Sequence, residues 1–323
     1  MRFIDVFNGD ADGICALHQL RLAEPQDAEL VTGVKRDIDL LRRVRAGAGD
    51  RVTVLDVSLE RNRAALMSLL DCGAMVRYFD HHAAGEIPSH SGFEPHIDES
   101  AGVCTSILVD RYLQGRFRVW AVVAAFGDAM SESALRLASS LNIQPQPLAE
   151  LRALGENLNY NAYGEEETDL LVPPAELYRR VSRFSDPFRL LDAEPLLKRL
   201  DEGRREDLAR ALALAPYQTA EHADTYVLPN APWARRVSGS FANRLAAAAP
   251  GRAHAVVAPK TRAGYTVNVR APSGGEFSAA AFCRAFGGGG RREAGGIDNL
   301  EAAKLDALVE ALEHGVQRLS RRA

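Results

Sequence analysis

Residues 74–82 read AMVRYFDHH. The first six make a buried-strand pattern, rich in apolar and β-favouring side chains, and an acid and two histidines stand at its end. Three ionisable groups in a row sit awkwardly at the edge of a core. They are a solvated loop, a capped turn, or half of a metal site whose other half lies elsewhere in the chain. The strand has counterparts upstream. RFIDVF (2–7) leads into a helical stretch over 12–23, AELVTGV (28–34) into one near 38–46, and RVTVLDV (51–57) into one over 61–70. Strands alternating with helices of this length predict parallel β-α-β units, and the near-continuous apolar character of the strands predicts burial on both faces.

Open parallel sheets present their ligand sites outside the carboxyl ends of the strands. Asp10 and Asp12, in NGDADG (8–13), follow the first strand; Asp56 closes the third; Asp80, His81 and His82 close the fourth; and the apolar segment VWAVVAAFGD (119–128) ends in Asp128. Taken singly these are weak. Asp12 reads as a helix N-cap, Asp56 equally as a cap or a ligand, and Asp128 signifies little alone. Together, five strand-end positions of matching chemistry at one sheet edge favour a metal site. Aspartates at i and i+2 on a tight turn repel unless a cation lies between them. A carboxylate-and-histidine set suits manganese, magnesium or iron better than a thiolate-loving structural zinc. Two such ions about 3.5–4 Å apart clamp a phosphoryl oxygen and activate water at neutral pH, with Asp56 as the carboxylate that bridges them.

The 323-residue length predicts about two domains, and the 46% hydrophobic content is enough for a substantial core. A net charge of −4 leaves no global nucleic-acid footprint, so a polyanion must be held by local charge or by metal ions. Cys15, Cys72, Cys104 and Cys283 form no paired-ligand spacing and read as buried reduced thiols of a cytosolic protein. MRFIDVF (1–7) lacks the pattern of a signal peptide, and no apolar run reaches membrane-spanning length. From 148 to 215 the pattern is mostly helical. A second α/β unit then begins, with DTYVLP (224–229), a helix over 235–248, HAVVAP (254–259), YTVNVRAP (265–272), a short helix over 278–285, FGGGGRREAGG (286–296) and a last helix over 299–320. The expected organisation is 1–190, a helical linker over 191–220, and 221–323.

NGDADG, VLDVS, YFDHH and FGD, in that order, resemble the motifs of the DHH phosphoesterase family, and VNVRAP with FGGGGRREAGG resembles that family's DHH-associated C-terminal domain, as in its oligonucleotide exonuclease and nano-RNase branches. The resemblance covers most of the chain and leaves 135–220 poorly matched. It implies an α/β fold: a parallel-sheet N-terminal catalytic domain and a smaller α/β substrate-binding domain across a cleft. It places Asp12, Asp56, His81 and Asp128 around one manganese or magnesium ion and Asp10 with Asp56 around another. The resemblance also implies that His82 would lie near the scissile phosphate and that Asp80 would orient the histidines rather than bind metal directly. The chain departs from the family pattern at Val6, where many members have histidine, at Asn8, where the exonuclease branch often has an acid, and at Arg291, where histidine usually follows the glycine run.

A glycine run gives backbone amides access to an anion, so Gly288, Gly289 and Gly290 are candidate phosphate donors beside the forked guanidinium groups of Arg270 and Arg291; the competing reading is a flexible loop. Lys35 and Arg36 read equally as cleft or surface residues, Arg235 and Arg236 as exposed, His18 as packed or surface, and NLNYNAYG (157–164) as an ordered polar loop. Neither a dinucleotide-binding glycine spacing nor a P-loop is present. The expected function is a manganese-dependent phosphoesterase acting on short oligonucleotides, single-stranded nucleic-acid ends or small nucleotides. A pyrophosphatase or polyphosphatase and a non-catalytic nucleotide sensor are the alternatives.

Overall fold

The computed structural model describes residues 1–320. The chain divides into two compact units, Met1–Glu202 and Gly203–Ala323.

The first unit is built on a five-stranded, all-parallel sheet. Its strands are β1 (Phe3–Asn8), β2 (Glu29–Gly33), β3 (Arg51–Leu55), β4 (Met75–Asp80) and β5 (Phe93–Ile97), in the order β2-β1-β3-β4-β5. Alternation along the strands sorts the core into two layers. Ile4, Val6, Val52, Val54, Val76 and Tyr78 pack on one face with Leu59, Leu66 and Leu70 of α2 (Leu59–Asp71). Phe7, Leu55 and Phe79 pack on the other face with Ile14 and Leu17 of α1 (Ala11–Ala23), Ile107 of α3 (Thr105–Tyr112) and Trp120 and Val123 of α4 (Arg118–Gly127). A parallel sheet buried on both faces is the arrangement that explains apolar strands without a polar side. Val6, one of the positions that departs from the resembled family's pattern, is fully buried in the first layer.

Three expectations change. The predicted helix near 38–46 is only a short 3-10 turn, Leu40–Arg43. The apolar segment ending in Asp128 is helix α4 rather than a strand: its residues Trp120–Gly127 are all buried, and short apolar runs buried on every side carry no periodicity that separates the two. NLNYNAYG belongs largely to the end of α6 (Pro145–Ala162), not to a loop. The remaining helices of this unit are α5 (Ser131–Ser139), α7 (Pro174–Val181) and α8 (Pro187–Ala193), and α9 (Pro195–Leu212) crosses the boundary between the units.

The second unit holds β6 (Gln218–Thr219), β7 (Ala223–Val227), α10 (Pro232–Ala248), β8 (Ala253–Pro259), β9 (Tyr265–Arg270), α11 (Ala279–Ala285), β10 (Gly289–Gly290), β11 (Ala294–Leu300) and α12 (Leu305–Ser320). Its sheet runs β10-β11-β9-β8-β7-β6, with β7 and β8 parallel and the other neighbours antiparallel. Val257, Val267, Val269 and Ile297 of the sheet pack with Leu308 and Leu312 of α12.

Candidate metal centre

Asp10 is the N-cap of α1, and its Oδ1 accepts the amides of Asp12 (3.0 Å) and Gly13 (3.1 Å). The capping role expected of Asp12 thus falls to Asp10. Asp12, the second residue of the helix and 1% exposed, is held from another direction. Its Oδ2 accepts the Thr105 amide and its Oδ1 the Ser106 amide, each at 2.7 Å, from the first turn of α3. Two amides on one carboxylate fix its plane and leave its remaining lone pairs pointing elsewhere.

Asp56 follows β3 by one residue, and its amide still donates to the Phe79 carbonyl (3.0 Å), continuing the ladder to β4. The chain then turns in the left-handed region, with φ +58° at Asp56, a conformation that Asp and Asn tolerate better than most residues. The cap of α2 is Ser58, so Asp56 is not spent on capping. Its Oδ1 lies 3.4 Å from His81 Nε2, 4.0 Å from His82 Nδ1 and 3.3 Å from the Thr105 hydroxyl.

Asp80 ends β4 fully buried. Its Oδ2 accepts the Leu59 amide at the start of α2 (3.2 Å), and its Oδ1 lies 2.7 Å from His82 Nδ1. It is therefore a buried anchor for His82. His81 Nε2 reaches Asp12 Oδ2 at 3.9 Å as well as Asp56, and the two imidazoles lie 4.4 Å apart. Asp128 caps the C-terminus of α4. Glycine is required just before it: a Cβ on Gly127 would collide with Ala11 Cβ and come within 2.8 Å of the Gly155 carbonyl. That close approach seats the end of α4 against the start of α1 and brings Asp128 beside the Asp12 turn.

Among the described residues, two groups of ligand atoms lie close enough together to hold an ion: Asp12, His81 and Asp128, and Asp56, His81 and His82, each with its atoms within 4.8 Å of one another. Hard carboxylate oxygens with one or two imidazoles fit manganese or magnesium. Four of the five expected metal ligands are in these groups; Asp10 is not.

Asp10 instead forms an ion pair through Oδ2 with Lys35 Nζ, which also contacts Asp128 Oδ1 (3.1 Å) and Asn159 Oδ1 (3.3 Å) and lies 5.7 Å from the centre of the Tyr163 ring. Lys35, balanced between cleft and surface on sequence, belongs to the site. Asn159, Thr105 and Ser106 were not singled out; only the unusual Asn/Tyr richness of 157–164 signalled the first. Asn8 donates through Nδ2 to the Lys35 carbonyl (3.3 Å), while its Oδ1 is buried without a hydrogen-bond partner among the described residues.

The electrostatics follow from crowding. Burial pushes the Asp56 carboxyl well up from its usual range, and the charges of Asp10, Asp12 and Asp128 add to it against the opposing pull of Lys35. Asp12 shifts upward for the same reasons, with His81 opposing. Burial would also raise Asp10, but the adjacent Lys35 ammonium reverses the sign and holds it low. Burial disfavours a charged His82, yet the hydrogen bond and charge of Asp80 outweigh it and raise the imidazole above its ordinary value. Without a cation among them, these acids repel.

In the second unit, Arg270 is held by Asn243 Oδ1 (2.7 Å) and the Val269 carbonyl (2.9 Å). Arg291 is exposed and makes no side-chain hydrogen bond or ion pair among the described residues. The glycine run is partly strand. The Gly288 amide donates to the Cys283 carbonyl (2.8 Å) at the end of α11, so it is not available to an anion, and a Cβ there would strike the Gly296 carbonyl. Gly289 and Gly290 pair with Gly296 and Gly295. Arg236, expected to be exposed, is buried and forked onto Asp207 Oδ2 (3.1 and 2.7 Å), whereas Arg235 reaches Asn230 Oδ1 (2.6 Å). His18 packs edge-on to Trp120 and bonds the Phe184 carbonyl at 2.8 Å.

No protein-family model matches the chain, and no curated protein matches it. Solved structures do. A manganese-bound exonuclease RecJ superposes with a TM-score of 0.65 at 19% identity, covering 98% of this chain and 90% of that one. RecJ from Thermus thermophilus in complex with Mn2+ gives 0.65 at 19% identity, with 98% of this chain matched to 52% of that one. The pGpG-specific phosphodiesterase PggH from Vibrio cholerae gives 0.57 at 13% identity, covering 99% and 100%. The chain therefore has the fold of these proteins, an α/β fold of the kind its motifs led one to expect. The proteins with which it shares that fold are an exonuclease and a phosphodiesterase, and it spans about half the length of the Thermus RecJ chain.

Proposed function

We propose that the chain is a metal-dependent phosphoesterase that uses manganese or magnesium to hydrolyse phosphodiester or phosphomonoester bonds of short oligonucleotides, single-stranded ends or small nucleotides. The observation that carries this is the convergence of Asp12, Asp56, His81, His82 and Asp128 from four separate segments into two overlapping ligand groups. These residues would hold a divalent ion, which would supply a water of lowered pKa and polarise a phosphoryl oxygen. The chain's own residues do the rest. Thr105 and Ser106 lock the Asp12 carboxylate, and Thr105 also donates to Asp56. Asp80 fixes the Nδ1 side of His82 and favours its protonated form, so that the Nε2–H of this ring is left to donate to a leaving oxygen. In the second unit, Arg270, Arg291 and the Gly289–Gly290 backbone are the proposed donors to the substrate phosphate. The proposed organisation follows the family: a catalytic domain over 1–190, a linker over 191–220 and a substrate-binding domain over 221–323. The unpaired cysteines, Cys15, Cys104 and Cys283 buried and Cys72, against expectation, exposed at the C-cap of α2, support a reducing compartment, the cytoplasm.

A second reading, a nucleotide sensor that binds without turnover, draws on Lys35 lying against Asp10. The test is hydrolysis of a 5′-phosphorylated dinucleotide and of a generic diester in manganese and in chelator, with pyrophosphate and polyphosphate as competitors. Manganese-dependent cleavage of the dinucleotide supports the nucleotide phosphoesterase. Binding without cleavage selects the sensor, and preferential cleavage of pyrophosphate or polyphosphate selects the pyrophosphatase class.

A further inference from the structure

We propose that the Lys35 ammonium occupies the place of a second divalent ion, so that the centre holds one metal and one fixed monovalent charge. This rests on the metal-dependent reading above and concerns which of its acids bind metal. Both oxygens of Asp10 are in use: Oδ1 by the Asp12 and Gly13 amides at 3.0 and 3.1 Å, and Oδ2 by Lys35. An ammonium has three hydrogens to donate, and Asp10, Asp128 and Asn159 supply three oxygens for them. The side chain is 23% exposed, and its backbone is held at both ends, the amide by the Ala162 carbonyl (2.9 Å) and the carbonyl by Asn8 Nδ2 (3.3 Å). It is a built contact rather than a solvated lysine swinging past an acid.

The surrounding residues agree. Neither group able to hold an ion includes Asp10. Val6, on the strand that leads to it, is sealed in the core, and Asn8 spends its amide on the Lys35 loop, so the end of β1 brings no further acid or imidazole to the Asp10 side. A divalent ion against Asp10 would have to displace Lys35 or lie beside its charge, and like charges at that range repel. An ion held by Asp12, His81 and Asp128 would meet no such competitor among the described residues except at one Asp128 oxygen.

Metal stoichiometry tests this on the full chain without reference to turnover. Manganese bound after exhaustive equilibration, counted by elemental analysis and by calorimetric titration, should be one per chain in the wild type. Lys35→Met should raise it to two, and Lys35→Arg should keep it at one. Electron paramagnetic resonance of the manganese-loaded wild type gives a second measurement that needs no variant: the hyperfine pattern of an isolated ion is expected. Two ions or an exchange-coupled pair in the wild type overturns the inference while leaving the metal-dependent reading standing. A folded Lys35→Met that still binds one ion also overturns it. A wild type that binds no manganese removes the metal-dependent reading itself.

Discussion

Asp56→Asn separates the repulsion of Asp56 by its neighbours from the metal-holding role proposed for it, because the two respond to the change with opposite sign. The backbone at Asp56 has φ +58°, where Asn is among the best-tolerated residues, and the amide oxygen can still accept from the Thr105 hydroxyl, so the fold has no reason to change. In metal-free protein, burial and the charges of Asp10, Asp12 and Asp128 raise the folded-state pKa of Asp56. The folded state then binds a proton more tightly than the unfolded one. Wild-type stability is accordingly lost as pH rises from the unfolded carboxylate range, about pH 4, through the higher folded value. An amide cannot ionise, so the metal-free variant should match the wild type in acid and be the more stable protein at higher pH. Manganese reverses the order. At about 100 times its dissociation constant a bound ion stabilises by about 2.7 kcal/mol, a rise in Tm of roughly 5–10 °C for a unit of this size. The wild type should show that rise and the variant should lose most of it, with hydrolysis falling at least ~10²-fold. Thermal melts with and without manganese across pH, paired with turnover, read all three effects. An Asp56→Asn protein with a full manganese shift and near-normal turnover would refute the reasoning.

The other predictions concern groups around and away from the centre. Asp80→Asn removes the charge that favours protonated His82, so a nuclear magnetic resonance titration should show His82 losing its proton at lower pH than in the wild type, with activity down about 10–100-fold; an unmoved titration would remove Asp80 as the anchor. His18 is buried neutral, its pKa lowered by burial to about 4. Stability should be complete above pH 6.5 and fall as pH drops toward about 4, by about 3 kcal/mol in urea unfolding, and His18→Gln should lack this component. Arg291→Ala should raise KM for nucleotides more than it lowers kcat, and Arg291→His should bind more tightly in acid than at neutral pH; unchanged kinetics would make Arg291 a solvent-facing residue.

The sheet was legible because its strands carry their own evidence: Phe7, Leu55 and Phe79 must face one layer and Val6, Val54 and Tyr78 the other, and only a parallel sheet covered on both sides satisfies both. The acids at the strand ends were legible for the same reason, since the strand end fixes where the next side chain goes. Asp128 was found for a reason that did not hold. It arrives on a buried helix, and what aims it is the contact of Gly127 with Ala11, a long-range fit that local pattern does not encode. Lys35 lay beyond the same limit. Its sequence neighbourhood suits a solvated loop, and the partners that draw it inward, Asp128 and Asn159, lie 93 and 124 residues away in the chain. The glycine run misled in a different way. Glycine serves equally to open a backbone to an anion and to let two strands approach, and at Gly288 the second use is the one realised.

The most direct test of the central claim is a manganese titration of the metal-stripped full chain in which bound ion and hydrolysis of a 5′-phosphorylated dinucleotide are followed in the same samples. Metal-dependent chemistry at Asp12, Asp56, His81 and Asp128 predicts no cleavage in chelator and a rate that rises in proportion to bound manganese. Cleavage undiminished by the chelator, or full occupancy with no cleavage, would contradict it.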